Sequence, residues 1–220
     1  MSGLGNDTIG FLADLSNNNN REWFQENRNR YEQARNDFQQ LVFSLIVGIS
    51  HFDKTIGSIE PRDCIFRIYR DVRFSPNKNP YKENFGAFIA PGGKKGNSCG
   101  YYIHIQPGSS FASGGLYMAP SAVMKEVRTA MVDNRKEFLS IVNHPTFKST
   151  FTWEGAEQVK RTPAGFKFDM ELDFFLRLKH ITPSCYFNDS TLTHADFDQK
   201  AIEVFHTLNP LIEFLNHAIP

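Results

Sequence analysis

The N-terminal part of the chain carries apolar residues at helical spacing. Phe11, Leu12 and Leu15 predict a short helix, and the four asparagines of residues 17–20 predict a loop and a helix cap behind it. Apolar residues then recur at steps of three and four, which predicts one long helix over residues 21–49. Its predicted apolar face consists of Phe24, Tyr31, Ala34, Phe38, Leu41, Leu45 and Ile49.

The middle part changes to short segments that are rich in β-branched and aromatic residues and bounded by Gly, Pro and Asn. These segments predict strands at residues 64–69, 85–90, 101–106 and 111–118. Within residues 101–106 apolar and polar side chains alternate, so one face would pack on a core and the other would be polar. The close spacing of the segments favours an antiparallel sheet over parallel strands with crossover helices.

The C-terminal part returns to helical spacing. A helix that begins at Ser121 is expected to break near residues 133–134, and residues 147–168 have no regular pattern. A short helix is predicted at residues 172–178 and a last strand at residues 180–187.

Two turn signals divide the remainder of the chain. Thr193 and Asp196 have the spacing of a capping box that opens a further helix, and Asn209–Pro210 predicts that a separate terminal helix begins there. The order of helices, sheet and helices predicts an α+β fold, in which a central, mainly antiparallel sheet is packed by N-terminal and C-terminal helices. A length of 220 residues predicts a single domain over residues 1–220.

Composition narrows the function classes. The chain has 24 basic and 24 acidic residues, a balance that disfavours nucleic acid as a partner. Three cysteines without close spacing argue against a disulfide framework and favour a reduced, cytoplasmic setting. The apolar stretch near residues 41–49 is too short to span a bilayer, so no membrane association is expected. No spacing typical of a metal site is present, and no cofactor is predicted.

Charge is unevenly distributed along the neutral chain. The window from Arg62 to Lys95 holds eight basic and three acidic residues, a net charge of +5 that leaves −5 for the rest. Its densest part, Arg67 to Lys82, is called the basic block below. Arginine presents a planar fork of donors that suits phosphate or carboxylate, and tyrosine adds a hydroxyl and a stacking face. The basic block therefore predicts a pocket for a phosphate, a nucleotide or a carboxylated small molecule.

Other side chains could extend this site. His104 titrates near neutral pH and would lie beside Tyr102 on the polar strand face, where an acid–base role competes with that of a hydrogen-bonded structural histidine. Lys160 belongs to a second basic segment and would join the site only if that segment folded over the block. The candidate ligand-binding residues are Arg67, Tyr69, Arg70, Arg73, Lys78, Tyr81, Lys82, Tyr102, His104 and Lys160.

The same residues allow two other interpretations. In one, the arginines form structural ion pairs and the chain is a non-catalytic structural or interaction module. In the other, aromatic residues and lysines bind single-stranded nucleic acid, which the neutral net charge makes the least favoured of the three. Asp71, flanked by Arg70 and Arg73, is expected to be a fixed counter-ion rather than a general base. No nucleophile elbow or phosphate-loop motif is present, so catalysis and oligomeric state stay open.

Several segments together resemble a known family. They are FLADLSNNNNREWFQENRNRYE, RIYRDVRFSPNKNPYKENFGAF, GYYIHIQPG, GGLY and KRTPAGF. On these segments the chain resembles the conserved-hypothetical family called domain of unknown function 2461, over about residues 8–219. Asn77 stands where that family more often has an aspartate, which weakens any role for an acid there. The resemblance implies one compact domain, found mostly in bacteria and some fungi, and no established activity to transfer.

Overall fold

A four-stranded antiparallel sheet forms the centre of the computed structural model, which describes residues 3–219. The strands run in the order β1-β2-β3-β4. The first three follow one another along the chain, and the fourth comes from the C-terminal part. They are β1 (Phe85–Ile89), β2 (Gly100–Ile105), β3 (Ser110–Gly115) and β4 (Ser184–Phe187).

Helices precede and follow the first three strands. Before β1, the described chain forms α1 (Asn6–Asn17), α2 (Arg21–Glu26), α3 (Arg28–Phe52) and α4 (Pro61–Cys64). After β3 it forms α5 (Ser121–Asp133), α6 (Arg135–Val142), α7 (Pro145–Thr150), α8 (Asp173–Arg177), α9 (Asp189–Leu192) and α10 (Phe197–Ala218). The predicted α+β fold, with an antiparallel sheet packed by N-terminal and C-terminal helices, is confirmed. No helix within residues 3–219 is both long and apolar enough to cross a membrane.

The apolar core lies between one face of the sheet and the two longest helices, α3 and α10. On β2 the buried residues Tyr101, Ile103 and Ile105 alternate with the half-buried Tyr102 and His104, as the sequence predicted. Because side chains on a strand alternate between its two faces, Tyr102 and His104 point away from the core. We call this side the outer face of the sheet.

The predicted strand at residues 64–69 is wrong. In the described chain this segment makes two isolated bridges, Ile65 with Ala87 and Tyr69 with Tyr81. Between the bridges the chain advances four residues on one side and six on the other, so the register shifts and no continuous ladder forms. The basic block therefore folds back on itself as an irregular hairpin beside β1.

The predicted helix over residues 21–49 is interrupted. Asn27 separates α2 from α3, and its side-chain amide donates to the Trp23 carbonyl at 3.0 Å. A side chain that satisfies the last carbonyls of α2 allows the chain to change direction there. The break predicted near residues 133–134 is confirmed at the junction of α5 and α6, and the helix predicted at residues 172–178 is confirmed as α8.

The helix predicted after Thr193 and Asp196 is present as α10, but the predicted capping box and the separate terminal helix at Asn209–Pro210 are wrong. Pro210 lies inside α10, because the Asn209 side chain turns to the buried Tyr101 hydroxyl at 2.6 Å instead of capping a new helix. Thr193 donates to the Ser190 carbonyl at 3.2 Å, and α10 begins without a side-chain cap.

Three boundaries shift without changing the topology. The strands predicted at residues 111–118 and 180–187 shorten to β3 and β4, and beyond β3 a single bridge joins Leu116 to Ile181. The stretch predicted as irregular from residue 147 begins inside α7.

Candidate functional site

The asparagine loop between α1 and α2 holds the basic block in place. Asn20 caps α2 by accepting a hydrogen bond from the Trp23 N–H at 2.9 Å, as predicted. Asn19 reaches the other way: its Oδ1 accepts from the Tyr81 N–H at 3.1 Å, and its Nδ2 donates to the Tyr81 carbonyl at 3.0 Å and to Glu83 at 3.1 Å. One side-chain amide thus satisfies the backbone N–H and carbonyl at the end of the block, as a neighbouring strand otherwise would.

Tyr81 belongs to the aromatic core. Its ring stacks on Phe24 with the centroids 3.9 Å apart and packs against Tyr69 at 5.5 Å. Tyr81 is 3 % exposed and Tyr69 is 44 % exposed, so of these two candidates Tyr69 presents its ring to solvent. Burial is the main cause that raises the pKa of the Tyr81 hydroxyl.

Arg70 and Lys78 brace the turn within the block. The Arg70 guanidinium donates to the Asn79 carbonyl at 3.2 Å and to the Ser75 hydroxyl at 3.3 Å. Lys78 Nζ donates to the Val72 carbonyl at 3.1 Å. These donors satisfy groups of their own chain, which fixes the shape of the hairpin.

Arg73 forms an exposed ion pair with Asp71. Its Nη2 and Nε lie 2.7 Å and 3.0 Å from the two carboxylate oxygens. Hydrogen bonds from Arg73 hold the pKa of Asp71 below its ordinary value, so this carboxylate stays charged near neutral pH. The geometry agrees with the counter-ion role expected for Asp71.

Arg67 and Lys82 differ from the other cations of the block. Neither side chain makes a hydrogen bond or an ion pair within residues 3–219. Lys82 Nζ lies 5.3 Å from the centroid of the Phe66 ring. Burial, and then the neighbouring charge of Arg67, lower the pKa of Lys82. Arg67 also acts on Asp71 at longer range, but the hydrogen bonds of that carboxylate go to Arg73. Two neighbouring cations therefore lie beside the sheet without a bonded acid in the described part of the chain.

Tyr102 and His104 continue the site on the outer face of β2. The Tyr102 hydroxyl lies 3.0 Å from His104 Nδ1, and His104 Nε2 lies 3.0 Å from Gln106 Oε1. Because an amide oxygen only accepts, Nε2 carries the proton and Nδ1 accepts from Tyr102. Asn84 Nδ2 approaches the same Nδ1 at 3.4 Å.

This network favours recognition over proton transfer. Burial is the main cause that lowers the pKa of His104, and the charge of Lys82 lowers it further, while the hydrogen bond to Gln106 acts in the opposite direction. Burial raises the pKa of Tyr102 to about 12. At neutral pH both groups are uncharged, and both imidazole nitrogens are already in hydrogen bonds.

A row of aromatic rings on the outer face was not predicted. It starts at Phe66, crosses Tyr102 and Phe111, and ends at Tyr186 on β4. Phe111 lies opposite His104 in the β2–β3 register and opposite Tyr186 in the β3–β4 register. The alternation of faces within a strand can be predicted from its sequence. The pairing that aligns Phe111 with Tyr186 cannot, because it joins segments far apart in sequence.

Lys160 lies near the other edge of the sheet. Its neighbour Val159 donates to the Arg177 carbonyl at 2.8 Å, and the same segment bridges to β4 through Thr152 and Ser184. The basic block adjoins β1 instead, so β2 and β3 lie between the two segments. Within the described chain, no hydrogen bond, ion pair or ring contact joins Lys160 to the block.

The groove between α3 and α10 lies outside the basic block. A groove of about 600 Å³ runs between α3 and α10, where Phe43, Val47 and His206 are among the lining residues, and none of the ten candidates lines it. Among residues 3–219, no group of three or more His, Cys, Asp or Glu side chains could hold a metal ion.

Comparisons with known proteins place the chain in a family without adding an activity. Neither the curated proteins nor the solved structures gave a significant match. Residues 7–214 match the family model described as "Conserved hypothetical protein (DUF2461)", and this match confirms the resemblance seen in the sequence. Since the match spans nearly the whole chain, the protein belongs to the DUF2461 family.

Proposed function

We propose that the protein binds an anionic small molecule beside the outer face of the sheet, through Arg67 and Lys82. The observation that carries the proposal is the pair of neighbouring cations that lack a bonded acid within residues 3–219. Like charges repel, and burial removes hydration from Lys82, so an arriving anion would relieve both costs. Arg67 would supply a planar fork of donors and Lys82 a point charge, a combination that suits phosphate or carboxylate.

The surroundings support recognition as the role of this site. Lys82 is close enough to His104 to lower the pKa of that imidazole, which connects the cation pair with the Tyr102–His104 network. A neutral tyrosine and a neutral histidine add polarity without adding charge. A group poised to exchange protons near pH 7 is what a general base needs, and Tyr102, with a pKa of about 12, does not provide it.

The contacts of the other cations of the block support a structural role for those residues. Arg70 and Lys78 donate to their own turn, and Arg73 is paired with Asp71. We therefore assign these three to the support of the site and only Arg67 and Lys82 to contact with the anion. This division makes the proposal narrower than a pocket formed by every cation between Arg67 and Lys82.

Isothermal titration with inorganic phosphate tests the proposal. Lys82→Met and Arg67→Gln should each weaken binding about tenfold or more, because a lost charge-assisted hydrogen bond costs about 1.5–3 kcal/mol. Arg73→Gln is the matched control: it removes one positive charge from the same block and should change the dissociation constant by less than about twofold. Absence of phosphate binding to the parent protein, or an equal loss in the Arg73 control, would overturn the proposal.

A further inference from the structure

We infer that an exposed loop of one copy of this chain binds the groove between α3 and α10 of a second copy. The loop comprises residues 160–170 and is called the Phe168 loop below. Both surfaces expose apolar side chains, and the unpaired charges on the two surfaces are opposite. Neither surface includes Arg67 or Lys82, so this contact is independent of the proposed anion site.

The groove is an apolar cleft on the outside of the helix pair. α3 lines it from Phe43 to Phe52 and α10 lines it from Asp198 to Thr207, so its length is roughly 14 Å at the rise of an α-helix. The side chains of Phe43 and Val47 are exposed there. Exposed apolar side chains that line a concave surface are typical of a binding site.

Two carboxylates on the α10 side of the groove lack a cationic partner. Asp198 is 5 % exposed, and within residues 3–219 its side chain accepts one hydrogen bond, from the adjacent Gln199 N–H at 2.8 Å. The exposed side chain of Glu203 makes no hydrogen bond or ion pair in that part of the chain. Among the described residues that line the groove, none is a lysine or an arginine. Because a buried carboxylate without a partner is costly, the groove favours an occupant that combines a cation with an apolar side chain.

The Phe168 loop offers this combination. Phe168 is 72 % exposed and Met170 is 84 % exposed, and Lys167 directly precedes Phe168. Lys160 and Arg161 add two further cations at the start of the loop. In the described part of the chain, the side chains of these three cations make no hydrogen bond or ion pair. The loop therefore presents apolar and positive side chains to solvent together.

Hydrogen bonds anchor the Phe168 loop near both ends. The Thr162 hydroxyl donates to Asp173 at 2.6 Å, at the start of α8. Asp169 accepts from Arg135 Nε at 2.9 Å and from the Leu172 N–H at 3.2 Å. The acid within the loop is thus paired with the body of the protein, while the cations of the loop stay unpaired. An anchored loop also loses less conformational entropy on binding than a loose one.

The Phe168 loop lies away from the groove of its own chain. The helices that anchor it, α6 and α8, pack toward the C-terminal end of α10: the ring centroid of Phe138 in α6 is 5.4 Å from that of Phe214 and 5.0 Å from that of Phe175 in α8. The groove surrounds Ile202, and α10 spans roughly 18 Å from Ile202 to Phe214. No described residue of the loop lines the groove. A second copy therefore supplies the occupant, in a contact between two different surfaces of the same chain.

Sedimentation velocity of the full chain over a concentration series tests the contact. We expect the parent protein to self-associate with a dissociation constant of roughly 10 μM to 1 mM, because a contact between one loop and one groove is small. Phe168→Glu and Val47→Glu should each weaken this association about tenfold or more, since each places a charge in the apolar contact. Glu203→Lys should weaken it as well, because it brings like charges together. Phe74→Glu, which replaces an exposed ring of the basic block by the same acid, is the matched control and should change the dissociation constant by less than about twofold.

A mixture of two of these variants gives the sharper test. Phe168→Glu keeps an intact groove and Val47→Glu keeps an intact loop. Each variant alone should stay monomeric at a concentration at which the mixture forms a one-to-one pair, because the mixture restores one complete contact and no more. Both substitutions are at exposed positions, and thermal unfolding of each variant verifies that it is folded.

Four results would overturn the assignment. The first is a parent protein that stays monomeric up to about 1 mM. The second is an association that Val47→Glu abolishes and Phe168→Glu does not, which would mean that the groove binds another surface. The third is a mixture of the two folded variants that does not pair. The fourth is a monomeric parent whose groove binds a basic amphipathic helical peptide, which would make a different protein the occupant. Phosphate binding should be the same in Phe168→Glu, Val47→Glu and the parent, so these failures would not affect the proposed anion site.

Discussion

Single side chains in and beside the basic block either form hydrogen bonds that hold the fold or keep a charge available to a ligand. Asn19 forms three hydrogen bonds to the end of the block, although it stands more than 60 residues away in sequence. Lys82, one residue beyond the anchored Tyr81, has an ammonium that lies over the Phe66 ring and has no bonded acid within residues 3–219. The free cation is therefore held by an anchored backbone, an arrangement that fixes the position of a charge without neutralising it.

Replacing Asn19 with alanine should destabilise the protein. The Tyr81 N–H and carbonyl would lose their partner amide, and at a net value near 1 kcal/mol for each hydrogen bond the loss is roughly 2–3 kcal/mol. Urea unfolding measures the change. Asn17→Ala is the control, since that amide bonds to the Ala13 carbonyl at the exposed end of α1 and its loss should cost less than about 0.5 kcal/mol. Equal effects of the two changes would show that Asn19 does not anchor the block.

The pKa of His104 should report the charge of Lys82. Burial and Lys82 both lower this pKa, so Lys82→Met should move it upward, toward the ordinary value of about 6.5. Titration of the imidazole proton signals by NMR measures the shift, and Lys78→Met is the control because Lys78 does not act on His104. An unchanged His104 pKa in Lys82→Met would contradict the closeness of the two groups.

The same shift predicts a dependence of stability on pH. A folded pKa below the unfolded one means that the stabilisation is present above about pH 6.5 and is lost as pH falls through the folded value. The difference in unfolding free energy between the parent and His104→Gln should therefore shrink in the acidic direction from about pH 6.5. Parallel stability curves for the two proteins between pH 7 and pH 5 would contradict this assignment.

Among the elements, α3 and α10 pack closely against each other at a glycine. Gly48 in α3 faces Ile202 of α10, and a Cβ added at Gly48 would overlap the Ile202 side chain. Gly10 in α1 has open space where a Cβ would lie. The two helical glycines thus lie in opposite environments. At Gly48 the neighbouring helix leaves no room for a Cβ, and at Gly10 packing does not require glycine.

Gly48→Ala and Gly10→Ala should change stability in opposite directions. Alanine is favoured over glycine in a helix by about 1 kcal/mol, and nothing opposes this gain at Gly10. At Gly48 the displaced Ile202 costs about 1–3 kcal/mol through overpacking, which should outweigh the gain. Thermal unfolding measures both changes. A stabilised Gly48→Ala protein would mean that the two helices separate without cost.

The elements that the sequence predicted are those whose pattern is local. The alternation in β2 and the apolar steps of α3 need no partner to be recognised. The prediction of a new helix at Pro210 failed because Asn209 does not cap it. Its side chain accepts a hydrogen bond from the buried hydroxyl of Tyr101, which is distant in sequence. The prediction of a strand at residues 64–69 failed because a β-like composition does not reveal the pairing register. The register shifts by two residues between the bridge to β1 and the bridge to Tyr81.

On the scale of the whole molecule, the candidate site combines segments that the sequence keeps apart. The asparagine loop, the basic block, β2, β3 and β4 all contribute to it. The charges of the block were visible in the sequence, and so was the polar face with Tyr102 and His104. Which cations remain free was not visible, because that depends on bonds such as those of Arg70 to the carbonyl of Asn79 and the hydroxyl of Ser75.

A site kept for binding should reduce the stability of the whole fold, and Lys82 offers the test. Burial and the neighbouring Arg67 both disfavour its charged form, and no bonded acid compensates within residues 3–219. Lys82→Met retains the aliphatic part of the side chain and removes the charge that lies over the Phe66 ring. We expect it to raise the unfolding free energy by a few tenths to about 1 kcal/mol while weakening phosphate binding.

Arg73→Met is the control for this exchange of stability against binding. The charge of Arg73 is paired with Asp71, so its removal should leave stability unchanged or slightly lower and should leave phosphate binding intact. Chemical denaturation of the two variants, with and without phosphate, separates the possibilities. If Lys82→Met were clearly less stable than the parent, the lysine would be a structural residue and the interpretation of the block as a structural module would gain at the expense of anion binding. If it is more stable and binds phosphate less tightly, the unpaired charge is explained by its ligand, because its contact with the Phe66 ring then does not compensate for its burial.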